Sequence, residues 1–362
     1  MPRIGDESMD YVLKCLGCGH VYKRSYDAQV CDRCGGLLEV AYKGNPKRLS
    51  NESGRPSIWE YADFLPKGEY KRWAVGGTRL LRSQDLGNVY MKMELDNPTR
   101  SFKDRGSVIE IGKAKEYGFK RIVCASTGNM AYSLSYYAKL AGMRAKVFIS
   151  GDANPDKIRY IRDLHDADIT RVNGDFNAAD RFARRYAKSN DVFLTGDYCY
   201  RKEGQKTLVY EIFGRLIPDY LIVPVGNATL LSAVFKAIRE YKAAGIIKRA
   251  PKVVAVEAKG CSPLVKAFNS NKELRYEAPK TKADAIAVGF PVYGNEAINE
   301  MRSEGSLAIA VSDKEMGTEQ KKLHDEQGII AELGGVASLA ALRKMDIGSR
   351  EKAVAIISGG NM

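Results

Sequence analysis

Asn97-Pro98-Thr99-Arg100-Ser101-Phe102-Lys103-Asp104-Arg105-Gly106 joins a β-prone run, Val89–Glu94, to an amphipathic one in which Val108, Ile109, Ile111 and Ala114 share a side. Asn-Pro is a turn signal, and Gly118 is a helix stop, so the pattern predicts strand, turn, then a helix over Gly106–Tyr117. Lys103 then stands at a helix N-terminus. Partial positive charge and free N–H groups there favour anions over an ammonium, which suits a lysine that forms Schiff bases. A lysine in an isolated turn is ordinarily a solvated charge, so the weight falls on the flanking sequence.

The strand–helix alternation continues in both directions. Arg121–Ala125 reads as a strand, Met130–Ala141 as a helix, Ala145–Ile149 as a strand, and Asn154-Pro155-Asp156 as a helix start. Asp168–Val172, Phe176–Lys188 and Val192–Leu194 repeat the pattern. Farther on come a helix over Glu203–Arg215, strands at Tyr220–Pro224 and Val253–Glu257, and a helix capped by Ser312 and stopped at Gly328. Val336–Met345 reads as the last helix and Val354–Ile357 as the last strand. Strands alternating with helices of this length predict parallel sheets covered on both faces, in two α/β units.

The chain has 362 residues, is 44% hydrophobic and 28% charged, and carries a net charge of +13. That balance fits a globular protein with a sizeable core. No apolar run approaches the roughly 20 residues that span a bilayer. The segment Met1–Asp6 has no signal-peptide core, so a cytoplasmic location is expected, with no membrane partner. The basic residues are dispersed rather than blocked together. This argues against nucleic acid as a partner and leaves a phosphorylated small molecule open.

Cys15-Leu16-Gly17-Cys18 and Cys31-Asp32-Arg33-Cys34 are two CxxC pairs, each followed by glycine and flanked by short β-prone pieces. Two such knuckles complete a tetrahedral Cys₄ zinc site of the ribbon type. All four ligand positions are sulfur, so the site is closed, and structural rather than catalytic. His20 lies beside it but is not needed.

Four strand-terminal loops are rich in Gly, Asn, Ser or Thr: the Lys103 segment, Ser126-Thr127-Gly128-Asn129, Gly226-Asn227-Ala228-Thr229 and Ser358-Gly359-Gly360-Asn361. Ligands in doubly wound sheets sit outside the carboxyl ends of the strands. One such loop is a turn; four together outline a site. Gly226–Thr229 precedes a helix and suits a phosphate. It lacks the GKS/T of a nucleotide P-loop and the GxGxxG of a dinucleotide fold. A phosphate, a reactive lysine and several amide and hydroxyl donors are what a pyridoxal phosphate enzyme needs.

On these residues the chain resembles the fold-type II pyridoxal phosphate enzymes, related to tryptophan synthase β, and within them the threonine synthase group. Asn97–Gly106 is similar to the family's NPTxSFKDRG segment. Glu203–Thr207 and the run Gly328-Ile329-Ile330-Ala331-Glu332 through Ala337-Ser338 match further segments of the group, which also carries the Cys₄ ribbon. The resemblance implies two doubly wound parallel-sheet domains: 43–105 with 205–362 as the larger, 106–204 as the smaller, and 1–42 as the ribbon. It implies that Lys103 is the Schiff-base lysine and that Asn129 bonds the cofactor's phenolic oxygen. Gly226, Asn227, Ala228, Thr229 and Leu230 are implied to hold its phosphate, and Ser358 to partner its ring nitrogen. Ser126, Thr127, Gly128 and Asn129 would grip the substrate carboxylate. Arg100, Arg79 and Lys206 are candidates for a substrate phosphate, Arg100 and Arg79 standing where relatives carry Gly and Pro. The implied reaction turns O-phosphohomoserine and water into threonine and phosphate, in a homodimer.

Two other readings stay open. The Ser358–Asn361 ending also suits a β-elimination or β-replacement enzyme, of the serine/threonine dehydratase kind or one using O-phosphoserine as in cysteate synthesis. A zinc-ribbon binding protein on an inactive enzyme scaffold is the third.

Overall fold

A computed structural model describes residues 10–25, 27–44, 57–126, 128–151, 158–159, 161–162 and 166–360. The Asn154–Asp156 helix start, Thr127 and Asn361 lie outside these. The chain divides into two compact units, one of Met1–Ser53, Ile58–Val75 and Lys103–Thr207, the other of Gly54–Ser57, Gly76–Phe102 and Leu208–Met362.

The first unit holds a four-stranded parallel sheet in the order Asp168–Val172, Arg144–Ser150, Arg121–Ala125, Phe193–Leu194. Its central strands bury Ile122, Val123, Val147 and Ile149. Helices Lys103–Glu116, Asn129–Leu140 and Phe176–Ser189 belong to this unit. Asp175 starts the third by accepting the Ala178 N–H at 3.0 Å, which satisfies one of the donors a helix start leaves open. A separate antiparallel sheet, Val21–Lys23, Tyr11–Cys15, Leu38–Tyr42, forms the ribbon.

The second unit holds a six-stranded sheet in the order Leu307–Val311, Lys252–Ala258, Tyr220–Pro224, Ala353–Ile357, Val89–Met93, Leu80–Arg82. Five strands are parallel; Leu80–Arg82 pairs antiparallel with Val89–Met93 as a hairpin at the edge. Tyr220–Pro224 and Ala353–Ile357 are buried along almost their whole length, as strands covered on both faces must be, which is why they read as unbroken apolar runs. Ser312 and Glu315 form a reciprocal capping box, and Gly328 closes that helix in the left-handed region at φ 64°. The last helix is shorter than its pattern, a 3₁₀ turn at Gly334–Val336 followed by Ala337–Leu342. No described helix is long and apolar enough to cross a membrane.

Two helices begin earlier than the sequence pattern indicates. One starts at Lys103 rather than Gly106, and another spans Cys199–Phe213 rather than starting at Glu203. Their polar first turns look like solvated loop in the sequence, yet Asp104, Arg105, Arg201 and Lys202 are all fully buried. The two helices approach so closely that only glycine fits at the contact. A Cβ on Gly106 would lie 2.6 Å from Arg201 Cγ, and one on Gly204 would collide with the Arg105 carbonyl.

Candidate active site

In the second unit, three neighbouring parallel strands end at three of the expected loops. Val89–Met93 leads toward Asn97–Phe102, Ala353–Ile357 into Ser358, and Tyr220–Pro224 into Gly226–Thr229. Adjacent strands lie only about 4.8 Å apart, so these loops crowd one edge. Backbone bonds stitch two of them together: Phe102 N–H to Ser358 C=O at 3.1 Å, Gly360 N–H to Arg100 C=O at 3.0 Å, and a bridge between Ser101 and Gly359. Gly76-Gly77-Thr78 supports the turn. Gly76 N–H donates to Asn97 Oδ1 at 2.9 Å, and Thr78 and Asn97 both bond the buried Glu94.

Gly226–Thr229 turns into helix Thr229–Ala243 through Ala228, whose φ of 59° is left-handed. The first N–H groups of a helix have no partner within it, and here they open at the carboxyl edge of the sheet. Leu230 is the second residue of that helix and is buried. Arg100 also has positive φ, 56°. Its guanidinium donates to Gly360 C=O at 3.0 Å and Ile330 C=O at 2.9 Å. Arg79 is committed differently, to a two-bond pair with Asp96 at 2.7 and 2.9 Å.

In the first unit, Lys103 is the first residue of its helix, and its side chain is 18% exposed. Its Nζ stands 3.9 Å from Asp197 Oδ1. The residues after it anchor the turn. Asp104 accepts Ser133 Oγ at 2.6 Å and the Tyr137 hydroxyl at 3.1 Å, and Arg105 donates to Thr207 Oγ1 at 3.1 Å. Strand Arg121–Ala125 runs into Ser126, whose hydroxyl accepts the Gly128 N–H at 3.3 Å, and Asn129 opens the next helix. Lys206 is fully buried, 2.7 Å from Glu203, with its ammonium over the Tyr42 ring.

Sequence reasoning did not single out Asp197, Arg201, Glu110, Ser133 or Tyr137. Arg201 and Glu110 form a fully buried pair at 2.5 Å. Burial pushes the Glu110 carboxyl up to about 7 against the pull of Arg201. A usable signal existed for Asp197, because it follows strand Phe193–Leu194 and so meets the strand-end condition as well as the four loops above do.

The ribbon brings Cys15, Cys18, Cys31 and Cys34 together with their sulfurs within 4.8 Å of one another. The Cys15–Cys34 and Cys18–Cys31 sulfurs are 3.5 and 3.7 Å apart. That is too far for a disulfide and close to the edge of about 3.8 Å that a zinc tetrahedron with ordinary Zn–S bonds requires. The cluster is therefore compatible with zinc. The ribbon is rooted in the helices of its unit. Lys113 Nζ donates to the Tyr11 hydroxyl at 2.7 Å, the Tyr42 hydroxyl to Glu203 at 2.6 Å, and Lys202 to Glu39 at 3.0 Å.

Comparison with known proteins adds three findings. Residues 72–359 match the family model of pyridoxal-phosphate dependent enzymes. Threonine synthase of Methanosarcina acetivorans is 36% identical over 97% of this chain and 92% of its own, and that of Methanocaldococcus jannaschii 34% over 96% and 91%. Among solved structures, maize serine racemase superposes with a TM-score of 0.69 at 22% identity, over 79% of this chain and 88% of its own, a likeness of fold.

Proposed function

The chain belongs to the pyridoxal-phosphate dependent enzymes of fold type II and, within them, to the threonine synthase group of lyases, and from that premise we propose that it converts O-phosphohomoserine and water into threonine and phosphate. The observation that carries the reading is the crowding of the Asn97–Phe102, Gly226–Thr229 and Ser358 loops at one sheet edge.

The residues fit the cofactor. A left-handed turn opens the start of a 15-residue helix toward the strand ends, as a phosphate cradle requires. Pyridoxal phosphate, when bound, supplies the electron sink that makes the substrate's α-proton acidic. Gly226, Asn227, Ala228, Thr229 and Leu230 would hold its phosphate, Ser358 its ring nitrogen, and Asn129 its phenolic oxygen. A neutral hydroxyl at Ser358 leaves that nitrogen unprotonated, which suits elimination and replacement. Lys103 would hold the cofactor through its amine, then use the freed amine to move protons at Cα and Cβ as base and acid. Ser126, Thr127 and Gly128 would receive the substrate carboxylate. Of the three cations weighed for the substrate phosphate, Arg79 and Lys206 have carboxylate partners. Arg100, exposed and bonded to carbonyls, is the one proposed to meet it. Cys15, Cys18, Cys31 and Cys34 would hold a structural zinc ion that orders the ribbon.

Incubating the loaded enzyme separately with O-phosphohomoserine and O-phosphoserine tests the reading. Threonine and phosphate in equal amounts from the first are expected. Phosphate from O-phosphoserine alone would replace this function with β-elimination or β-replacement.

A further inference from the structure

We propose that Asp197 is a positioning residue for Lys103, holding its side chain in the orientation in which it exchanges protons with substrate. The proposal rests on the role given to Lys103 above.

Four observations lead to it. The Asp197 side chain is 4% exposed, so it is not a solvated surface charge, and its Oδ1 lies 3.9 Å from Lys103 Nζ. A carboxylate buried to that degree is retained only with charge or hydrogen-bond compensation.

The backbone on either side of this pair is tied to one guanidinium. Arg201 Nε donates to Gly196 C=O at 2.8 Å, and its Nη1 to Lys103 C=O at 3.2 Å. Its Nη2 meets Glu110 at 2.5 Å and Ser107 Oγ at 3.2 Å, and Glu110 in turn accepts the Gly196 N–H at 2.7 Å. Gly196 is thus gripped through both its N–H and its C=O. Arg201 and Glu110 answer each other.

The loop is fixed from the other direction as well. Thr195 N–H donates to Val123 C=O at 2.8 Å, and its hydroxyl to the same oxygen at 3.0 Å. Strands Phe193–Leu194 and Arg121–Ala125 are parallel neighbours, so Asp197 leaves the same sheet edge as Ser126 and Asn129.

The last observation is electrostatic. Lys103 begins a 14-residue helix, where the peptide dipoles repel an ammonium. A buried carboxylate beside it offsets that repulsion and gives the amine a fixed direction each time it takes up a proton. Asp197 acts through Lys103.

The test compares D197N and D197E with the wild-type holoenzyme. For D197N, kcat should fall about a hundredfold, the scale of a reacting group misplaced by about an ångström. KM should stay within about threefold, since the substrate-binding loops are untouched, and the visible absorbance of the bound cofactor should shift. D197E should recover at least about tenfold of the lost kcat. D197N within about threefold of wild type with an unshifted absorbance would overturn the proposal. So would equal impairment of D197N and D197E, or failure of both to fold, because either makes Asp197 a structural residue. If the wild-type protein itself takes up no cofactor at Lys103, the role given to Lys103 fails. If the wild type is loaded and active while D197N matches it, only this proposal fails.

Discussion

Lys103 and the Gly226–Thr229 loop follow strands of the same type but are built in opposite ways. Around Lys103, charged and polar side chains fix the geometry: Asp197, Arg201 with Glu110, Asp104 with Ser133 and Tyr137. Around Gly226–Thr229, the backbone does, through a left-handed residue at a helix start. A side-chain site is brittle, because removing one partner strands another in the interior. A backbone site tolerates any substitution that keeps its dihedral angles.

The largest expected effect falls on the first kind. Replacing Arg201 by Met leaves Glu110 buried without its cation and releases the Gly196 carbonyl. Breaking such a pair costs about 3–5 kcal/mol, read as a lowered urea midpoint. R201M as stable as wild type would mean that the network does not hold the Lys103 turn.

A second experiment sharpens the contrast between carboxyls with and without a guanidinium. Glu257, in the second unit, is buried and accepts the Val265 N–H at 2.8 Å, and burial pushes its carboxyl up to about 8. Its folded value lies above the unfolded one. Its contribution to stability is therefore complete below about pH 4.5 and is lost as pH rises through about 8. E257Q removes the ionisation, so relative to wild type it should be more stable at pH 9 than at pH 6, by roughly 1–3 kcal/mol in the difference. Parallel stability curves for the two proteins would contradict this.

The smallest effect belongs to the backbone site. Ala228 holds a left-handed φ that costs a non-glycine residue about 1 kcal/mol. A228G should leave stability within about 1 kcal/mol of wild type and cofactor affinity within about threefold. A large loss would show that the methyl group itself is needed.

The same contrast explains what the sequence made legible. The CxxC spacing, the strand ends and the Asn97–Gly106 segment are local patterns, and they pointed to the ribbon, the sheet edges and the lysine. The early helix starts were hidden because Lys103-Asp104-Arg105 is polar. What buries it, Ser133, Tyr137 and Thr207, lies far along the chain. Arg201 was missed for the same reason, whereas Asp197, just after strand Phe193–Leu194, carried a local signal. Lys206 was readable: Glu203 lies three residues before it, a spacing that pairs charges on one helix face, and the two are in fact paired. The Arg79–Asp96 pair follows from the hairpin at the sheet edge, a feature that the strand–helix alternation does not announce.

The most direct test of the account is borohydride reduction of the protein after incubation with pyridoxal phosphate, followed by peptide mass mapping. The account predicts one covalent cofactor adduct on the peptide that carries Lys103, and none at all in K103A. An adduct on a different lysine, with K103A retaining the visible absorbance of the bound cofactor, would contradict it.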